Sequence, residues 1–335
     1  KDQKMPNAST TKILTCLYIL EHCDIDQMAK VSKNASMQPK VRLGVREGES
    51  YKVKDLLYGL MLESYNDCAV VLAEYAAGSV EKFEKRVNQM AAKLGASNTH
   101  FVTPNGLDGT DKDGRHETTA QDLAKIMARC IKNQQFLEIT QAKQHTFTDG
   151  SGKRTFTCNN HNALLSTMQG AISGKTGYTS KAGYCYVGAI KQKNMTMTVS
   201  VLASGWPPHK TYKWNDVRKL VQYVTDNYEK REIIADTNNV KEINVNNGLK
   251  QKVPLRTGNP KATFLIKKTD QIKIESILPS SMNAPVKKGQ KVGEIRYLVN
   301  GKSQKNIPIY ANQDVKQKDY WYYFGKIIQR FTLTL

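Results

Sequence analysis

The stretch Pro6-Asn7-Ala8-Ser9-Thr10-Thr11-Lys12-Ile13-Leu14-Thr15-Cys16-Leu17-Tyr18-Ile19-Leu20 predicts a helix with a polar, chemically equipped start and a body that is apolar on nearly every side. Such a helix is buried. Ser9 and Lys12 are three apart, so a helix stacks them one turn apart on one face, within reach of a hydrogen bond. A serine hydroxyl is a weak nucleophile at neutral pH and needs a base beside it. An ammonium becomes that base only when burial depresses its pKa. The first turn of a helix also points N–H groups past the serine, toward a developing oxyanion. Alone the pair decides little: Ser-x-x-Lys recurs by chance, Ser79-Val80-Glu81-Lys82 matches it too, and a capping serine with a surface lysine has the same spacing.

Working outward, residues 53–64 have helical spacing and stop at Ser64-Tyr65-Asn66-Asp67, after which a second apolar helix runs from 68 to 77 and ends at Gly78. Ser64 and Asn66 thus fall in a helix connection, where side chains project into a cleft. An amphipathic helix over 80–94 is closed by Gly95, and residues 98–117, containing Pro104-Asn105-Gly106-Leu107-Asp108, form a long surface loop. Thr118 or Thr119 caps a helix over 120–131. Alternation over 144–158 predicts a hairpin around Asp149-Gly150-Ser151-Gly152. Residues 172–179, with Lys175-Thr176-Gly177-Tyr178, are expected to be a strand end opening into a glycine-rich turn. Strands over 184–191 and 195–203 and a helix over 214–229 complete a mixed α/β domain assigned to residues 1–232.

From 233 to 312 only short alternating strands separated by Gly, Pro and Asn turns are found, which predicts an all-β domain. It carries a net charge of +9 within a chain of net charge +20. Residues 313–335 form a tail in which Phe324, Ile327, Ile328 and Phe331 share one helical face, with aromatic residues ahead of it and basic residues off it. That composition suits a membrane interface or docking on the β domain, and the tail is too short and polar to span a bilayer.

The basic excess favours polyanionic partners such as lipid headgroups or anionic wall polymers. Without zinc-finger spacing or an RNP-like aromatic motif, no nucleic-acid partner is expected. The six cysteines contain no Cys-x-x-Cys unit, so metal binding through them is not expected. Cys16 and Cys23, about 10 Å apart by helix rise, are too distant for a disulfide.

The chemistry lies in three motifs taken in order: Ser9-x-x-Lys12 at a buried helix start, Ser64-Tyr65-Asn66 in a helix connection, and Lys175-Thr176-Gly177 at a strand-to-turn junction. Each is weak singly and the trio is specific. With Glu-Ser-Tyr-Asn-Asp-Cys-Ala, Asn-Gly-Leu-Asp, Gly-Lys-Thr-Gly-Tyr-Thr, the β domain and Tyr-Phe-Gly-Lys-Ile-Ile, the chain resembles the low-molecular-mass penicillin-binding proteins, the serine-type D-alanyl-D-alanine carboxypeptidases. The resemblance implies a serine β-lactamase/DD-peptidase-like α+β domain, an antiparallel sheet flanked by helices, followed by the all-β domain. It implies an extracytoplasmic enzyme that acts on peptidoglycan stem peptides ending in D-Ala-D-Ala, needs no metal or cofactor, is acylated by β-lactams, and is held to the membrane surface by its tail.

By motif, Ser9 is the implied nucleophile and Lys12 its base, Ser64 relays a proton to the leaving amine, and Asn66 orients Lys12. Lys175 holds Lys12 neutral, Thr176 and Gly177 line the substrate strand, and the N–H groups of Ser9 and Tyr178 form the oxyanion hole. His161 is matched more loosely to a cleft-facing position, and Lys213 to a basic residue for the terminal carboxylate. Two departures are visible. Relatives carry two strands ahead of the nucleophile helix where only Lys1 to Ala8 precede Ser9 here, which is expected to expose a sheet edge. Tyr65, bulkier than the Gly or Ala of some relatives, is expected to narrow the cleft. A β-lactamase would need a carboxylate for its deacylating water, and no Glu-x-x-Leu-Asn segment lies between Ser64 and Lys175. A non-catalytic wall-binding protein would have no need of a buried lysine.

Overall fold

In the computed structural model, which describes residues 1–332, a 3₁₀ turn over Ala8–Thr11 runs straight into helix α1, Lys12–His22. Ile13, Leu14, Cys16, Leu17 and Ile19 of α1 have no exposed surface, and they form the centre of the main core. Burial of each fully buried aliphatic side chain contributes about 1.5–3 kcal/mol, so this helix is a major source of the unit's stability. Cys23 already lies beyond the helix, in extended backbone.

Around α1 the first unit, Lys1–Asp226, places short strands β1 (Met28–Lys30) and β2 (Ser50–Lys52) with the single turn α2 (Lys33–Ser36) between them. Helix α3 (Val53–Tyr58) continues into a π turn, Gly59–Glu63, and α4 (Asn66–Ala77) ends at Gly78, whose φ of +80° suits a residue without a Cβ. Helices α5 (Val80–Lys93), α6 (Ala120–Cys130) and α7 (Gln134–Gln141) start on side-chain caps, in which Ser79, Thr119 and Asn133 accept from the N–H of Lys82, Asp122 and Phe136. The hairpin β3 (Gln144–Thr148) and β4 (Thr155–Asn159) follows, then the turn α8 (Leu164–Thr167).

The sheet beside the site is antiparallel, in the order β5 (Ala171–Thr179), β6 (Gly183–Gln192), β7 (Met195–Val201). Residues 172–179 are therefore not a strand end opening into a turn. The glycines at 174 and 177 stay in the ladder, paired with Gly188 and Cys185, and the turn comes after Thr179. Helix α9 (Tyr212–Asn227) ends the unit.

The second unit begins at Asn227, ahead of the boundary at 232 read from composition. The reason is β8 (Tyr228–Ile234), whose whole length pairs with β11 (Lys261–Lys267). The other strands are β9 (Glu242–Asn246), β10 (Lys252–Thr257), β12 (Ile272–Ile277), β13 (Ser281–Asn283), β14 (Lys291–Val299) and β15 (Lys302–Ala311). They form a six-stranded sheet in the order β12-β14-β15-β10-β9-β13 over a separate apolar core. Helix α10 (Tyr320–Thr332) closes the described chain, and residues 333–335 of the tail lie outside it.

Candidate active site

The nucleophile turn is held by its own polar side chains. Asn7 Nδ2 donates to Thr10 Oγ1 at 3.1 Å and to Thr11 Oγ1 at 2.8 Å, while Thr10 Oγ1 donates to Asn7 O at 2.6 Å. Ser9 is left facing a cleft of about 360 Å³. Behind it Lys12 is completely buried, with Nζ 2.8 Å from Ser9 Oγ, 2.9 Å from Asn66 Oδ1 and 2.7 Å from the main-chain oxygen of Asn105.

These three contacts define what the lysine can do. Burial is the main cause that lowers its pKa well below 10.5, and the charge of Lys175 lowers it further. A neutral amine has two N–H donors and one lone pair. The orientation of the Asn66 amide is fixed because its Nδ2 donates to Pro39 O, so Oδ1 faces Lys12 as an acceptor. Asn66 Oδ1 and Asn105 O can only accept, and they take both N–H groups. The remaining lone pair points at Ser9 Oγ, the geometry of a general base.

Asn66 is placed by its neighbour. The Asp67 carboxylate accepts the N–H groups of Leu43, Gly44, Val45 and Cys68 at 2.7–3.2 Å, which ties the cleft wall near Val41 to the start of α4. Ser64 ends the π turn in a left-handed conformation (φ 69°) and lines the cleft. A non-glycine residue there is costly and is found where the surroundings impose it. Tyr65 does not narrow the cleft: its ring turns inward onto Gly59, where a Cβ would stand 3.1 Å away, and packs on the core.

Across the cleft lies β5. A Cβ on Gly177 would fall 2.9 Å from Ser9 N and 3.0 Å from Asn7 O, so only glycine lets the strand pass this close to the nucleophile turn. Lys175, Thr176, Gly177 and Tyr178 line the opening. Lys175 is buried, its Nζ donates to Thr176 O at 3.0 Å, and burial pushes its pKa down to about 7. Lys213 Nζ donates to Lys210 O and sits 4.6 Å from the ring centres of both Tyr184 and Trp214, with its pKa lowered to about 8 by burial and then by Lys210. His161 stands at the exposed rim, where Nε2 is 2.7 Å from Glu63 Oε2.

All ten residues named from the sequence thus reach the site, eight of them at the cleft wall and Lys12 and Asn66 behind it. Missing from that reading are the Asn105 carbonyl, Asp67 and His116. The signal for the first was Asn105-Gly106: Gly106 has a φ of +84°, and a Cβ on it would lie 2.1 Å from Ala8 O. Among the described residues no group of three His, Cys, Asp or Glu side chains is placed to hold a metal ion.

Residues 1–205 match the family model "D-alanyl-D-alanine carboxypeptidase", and residues 228–317 match "Penicillin-binding protein 5, C-terminal domain". The chain is 28% identical over 323 residues to D-alanyl-D-alanine carboxypeptidase DacF of Bacillus subtilis (strain 168), covering 94% of this chain and 81% of that protein. It is 36% identical over 205 residues to DacB2 of Mycobacterium tuberculosis, covering 60% of this chain and 68% of that protein. The crystal structure of penicillin-binding protein 5 from Haemophilus influenzae superposes with a TM-score of 0.70 at 27% identity, covering 94% of this chain and 92% of that one. With a cleft-facing serine beside a buried lysine, an Asn-oriented amine and a second lysine on the strand across the cleft, the chain belongs to the D-alanyl-D-alanine carboxypeptidase family.

Proposed function

We propose that this protein removes the terminal D-alanine of peptidoglycan stem peptides through an acyl-enzyme on Ser9. The observation that carries the assignment is the single free valence of Lys12, whose two N–H groups are committed to Asn66 and Asn105 while Ser9 Oγ lies 2.8 Å away. Ser9 Oγ attacks the carbonyl carbon between the two D-alanines and passes its proton to Lys12 Nζ. The N–H groups of Ser9 and Tyr178 receive the oxyanion. As the C–N bond breaks, Ser64 Oγ relays the proton to the leaving amine, and D-alanine departs. Water then hydrolyses the ester and regenerates Ser9.

Lys175 supplies the positive field that keeps Lys12 neutral. Lys213, cationic below about pH 8, is suited to the substrate's terminal carboxylate. His161 and Glu63 shape the rim. Penicillin offers Ser9 Oγ a β-lactam carbonyl instead, and opening of the ring C–N bond leaves a penicilloyl adduct on Ser9. The test is release of D-alanine from diacetyl-Lys-D-Ala-D-Ala, together with intact-mass analysis after penicillin treatment. Release and a mass adduct that both vanish in Ser9→Ala are expected. An adduct mapped to any other residue of folded protein would overturn the nucleophile assignment.

The tail supports a place at the outer face of the bacterial membrane. In α10, Trp321, Phe324 and Ile327 are 42–72% exposed, which suits an interfacial helix. Co-sedimentation with anionic phosphatidylglycerol vesicles is expected to fall about tenfold or more in Ile327→Glu/Phe331→Glu. Equal binding by that variant would sink the anchor reading. Cell-shape maintenance is the role such an activity supports.

A further inference from the structure

Among the buried titratable side chains outside the cleft, His116 touches the nucleophile turn. Its Nδ1 lies 2.9 Å from the N–H-bearing nitrogen of Val102 and 3.3 Å from that of Thr103. Both are donors, so Nδ1 must be the acceptor and the proton sits on Nε2. Nε2 donates to Thr11 Oγ1 at 2.8 Å. That hydroxyl also accepts from Asn7 Nδ2 and gives its own proton to Ala8 O at 3.0 Å. The ring lies flat against Phe101, with centroids 5.0 Å apart.

The segment that His116 grips is the start of the loop whose Asn105 carbonyl holds Lys12. The loop is tied to α1 by a second bond, Thr15 Oγ1 to Pro104 O at 2.8 Å, one turn further along. His116 supplies the tie at the end next to Ser9. A protonated imidazole would aim a proton at two N–H groups. Burial, with the charges of His100 and Lys12 adding to it, pushes the pKa down to about 3, so the ring stays neutral wherever the enzyme works.

We infer that His116 is a positioning residue for the Ser9–Lys12 pair: it spans loop 102–107 and Thr11, and so sets where the Asn105 carbonyl meets Lys12 Nζ. The inference rests on Lys12 being the base of Ser9. Without the tie the carbonyl drifts, one N–H of the amine loses its partner, and the lone pair is no longer aimed at Oγ.

The experiment is stopped-flow acylation by penicillin across pH, on the full chain, for wild type, His116→Asn, Thr11→Val and the double variant. His116→Asn keeps an acceptor for the loop but removes the donor to Thr11, while Thr11→Val removes the hydroxyl at nearly constant shape. Each single variant is expected to lower the limiting acylation rate about 10- to 100-fold with little change in the half-saturating penicillin concentration. The double variant should match the singles rather than multiply them. The acid limb, set by Lys12 among Lys175, Asp67 and Cys68, should move to lower pH, because the ammonium loses an acceptor.

Folded variants with the wild-type limiting rate and acid limb would reduce His116 to a scaffold residue and overturn the inference. If His116→Asn does not fold, His116→Gln takes its place in the same cycle, because Thr11→Val also removes the bonds to Asn7 and Ala8 and cannot decide alone. A wild type that neither releases D-alanine nor takes up penicillin on Ser9 is a distinct failure, which takes the functional reading down and the inference with it.

Discussion

Lys12→Met is expected to lower acylation of Ser9 by about a thousandfold or more while leaving a folded protein. The amine sits among fixed acceptors, so no other group can take the Ser9 proton along the same line. Stability should change little. Asn66 Oδ1 and Asn105 O each lose a donor, at about 1–3 kcal/mol apiece, but burial of an ionisable amine, visible in its depressed pKa, is relieved at the same time. Intact mass after prolonged penicillin exposure, beside circular dichroism and a melting curve, checks both halves. Combining Lys12→Met with Ser9→Ala should cost no more than either change alone, because the two side chains act as one unit. A variant that still acylates at a tenth of the normal rate would show that another base serves Ser9.

Lys175→Met should separate activity from stability in the opposite sense. The ammonium of Lys175 is buried with one hydrogen bond, to Thr176 O, and its pKa falls from 10.5 to about 7. The unfolded chain therefore binds more protons than the folded one between about pH 7 and 10.5, so this lysine's contribution improves as pH rises through that window and is at its most unfavourable below it. Methionine removes the penalty. At pH 6 a gain of about 2–4 kcal/mol is expected after allowing for the lost hydrogen bond, or roughly 5–10 °C in Tm. The difference from wild type should close above pH 10.5. Activity should fall about 100-fold or more. With the neighbouring charge gone, Lys12 is easier to protonate, so what remains should show its acid limb at higher pH. A Lys175→Met protein that melts lower than wild type at pH 6 would mean that the ammonium is stabilised by something other than the contacts described.

The parts of this site legible in the sequence were those written as side chains at short spacing. Ser9 and Lys12 could be paired because helical periodicity alone brings them together; Ser64 falls in the helix connection as expected, whereas Asn66, expected there too, is already the first residue of α4, because Tyr65 and not Asp67 is the last residue before the helix. Lys175 was identified through its motif, although the strand around it was not. Two glycines near a lysine suggest a turn, and only pairing with β6, invisible locally, keeps them extended. Tyr65 misled for a related reason: its size was legible, but the direction of its ring depends on Gly59, six residues earlier. Asn105 was hidden more deeply, since it works through its main-chain oxygen, which every residue possesses. His116 was hidden because its partners, at 11, 102 and 103, come from two distant segments.

The division of labour around Lys12 also bears on how the enzyme can drift. One of the two acceptors that orient the amine is an Asn side chain, which a single codon change can delete. The other is a peptide oxygen, which no codon change can delete. Inheritance of that half of the constraint is displaced to the next position, where any residue larger than glycine would drive its Cβ into Ala8 O. In a library of random variants, position 106 should therefore be intolerant although it makes no hydrogen bond to the lysine, whereas position 105 is constrained separately, through a buried side chain that donates to Gln38 Oε1 and accepts from the Leu107 N–H.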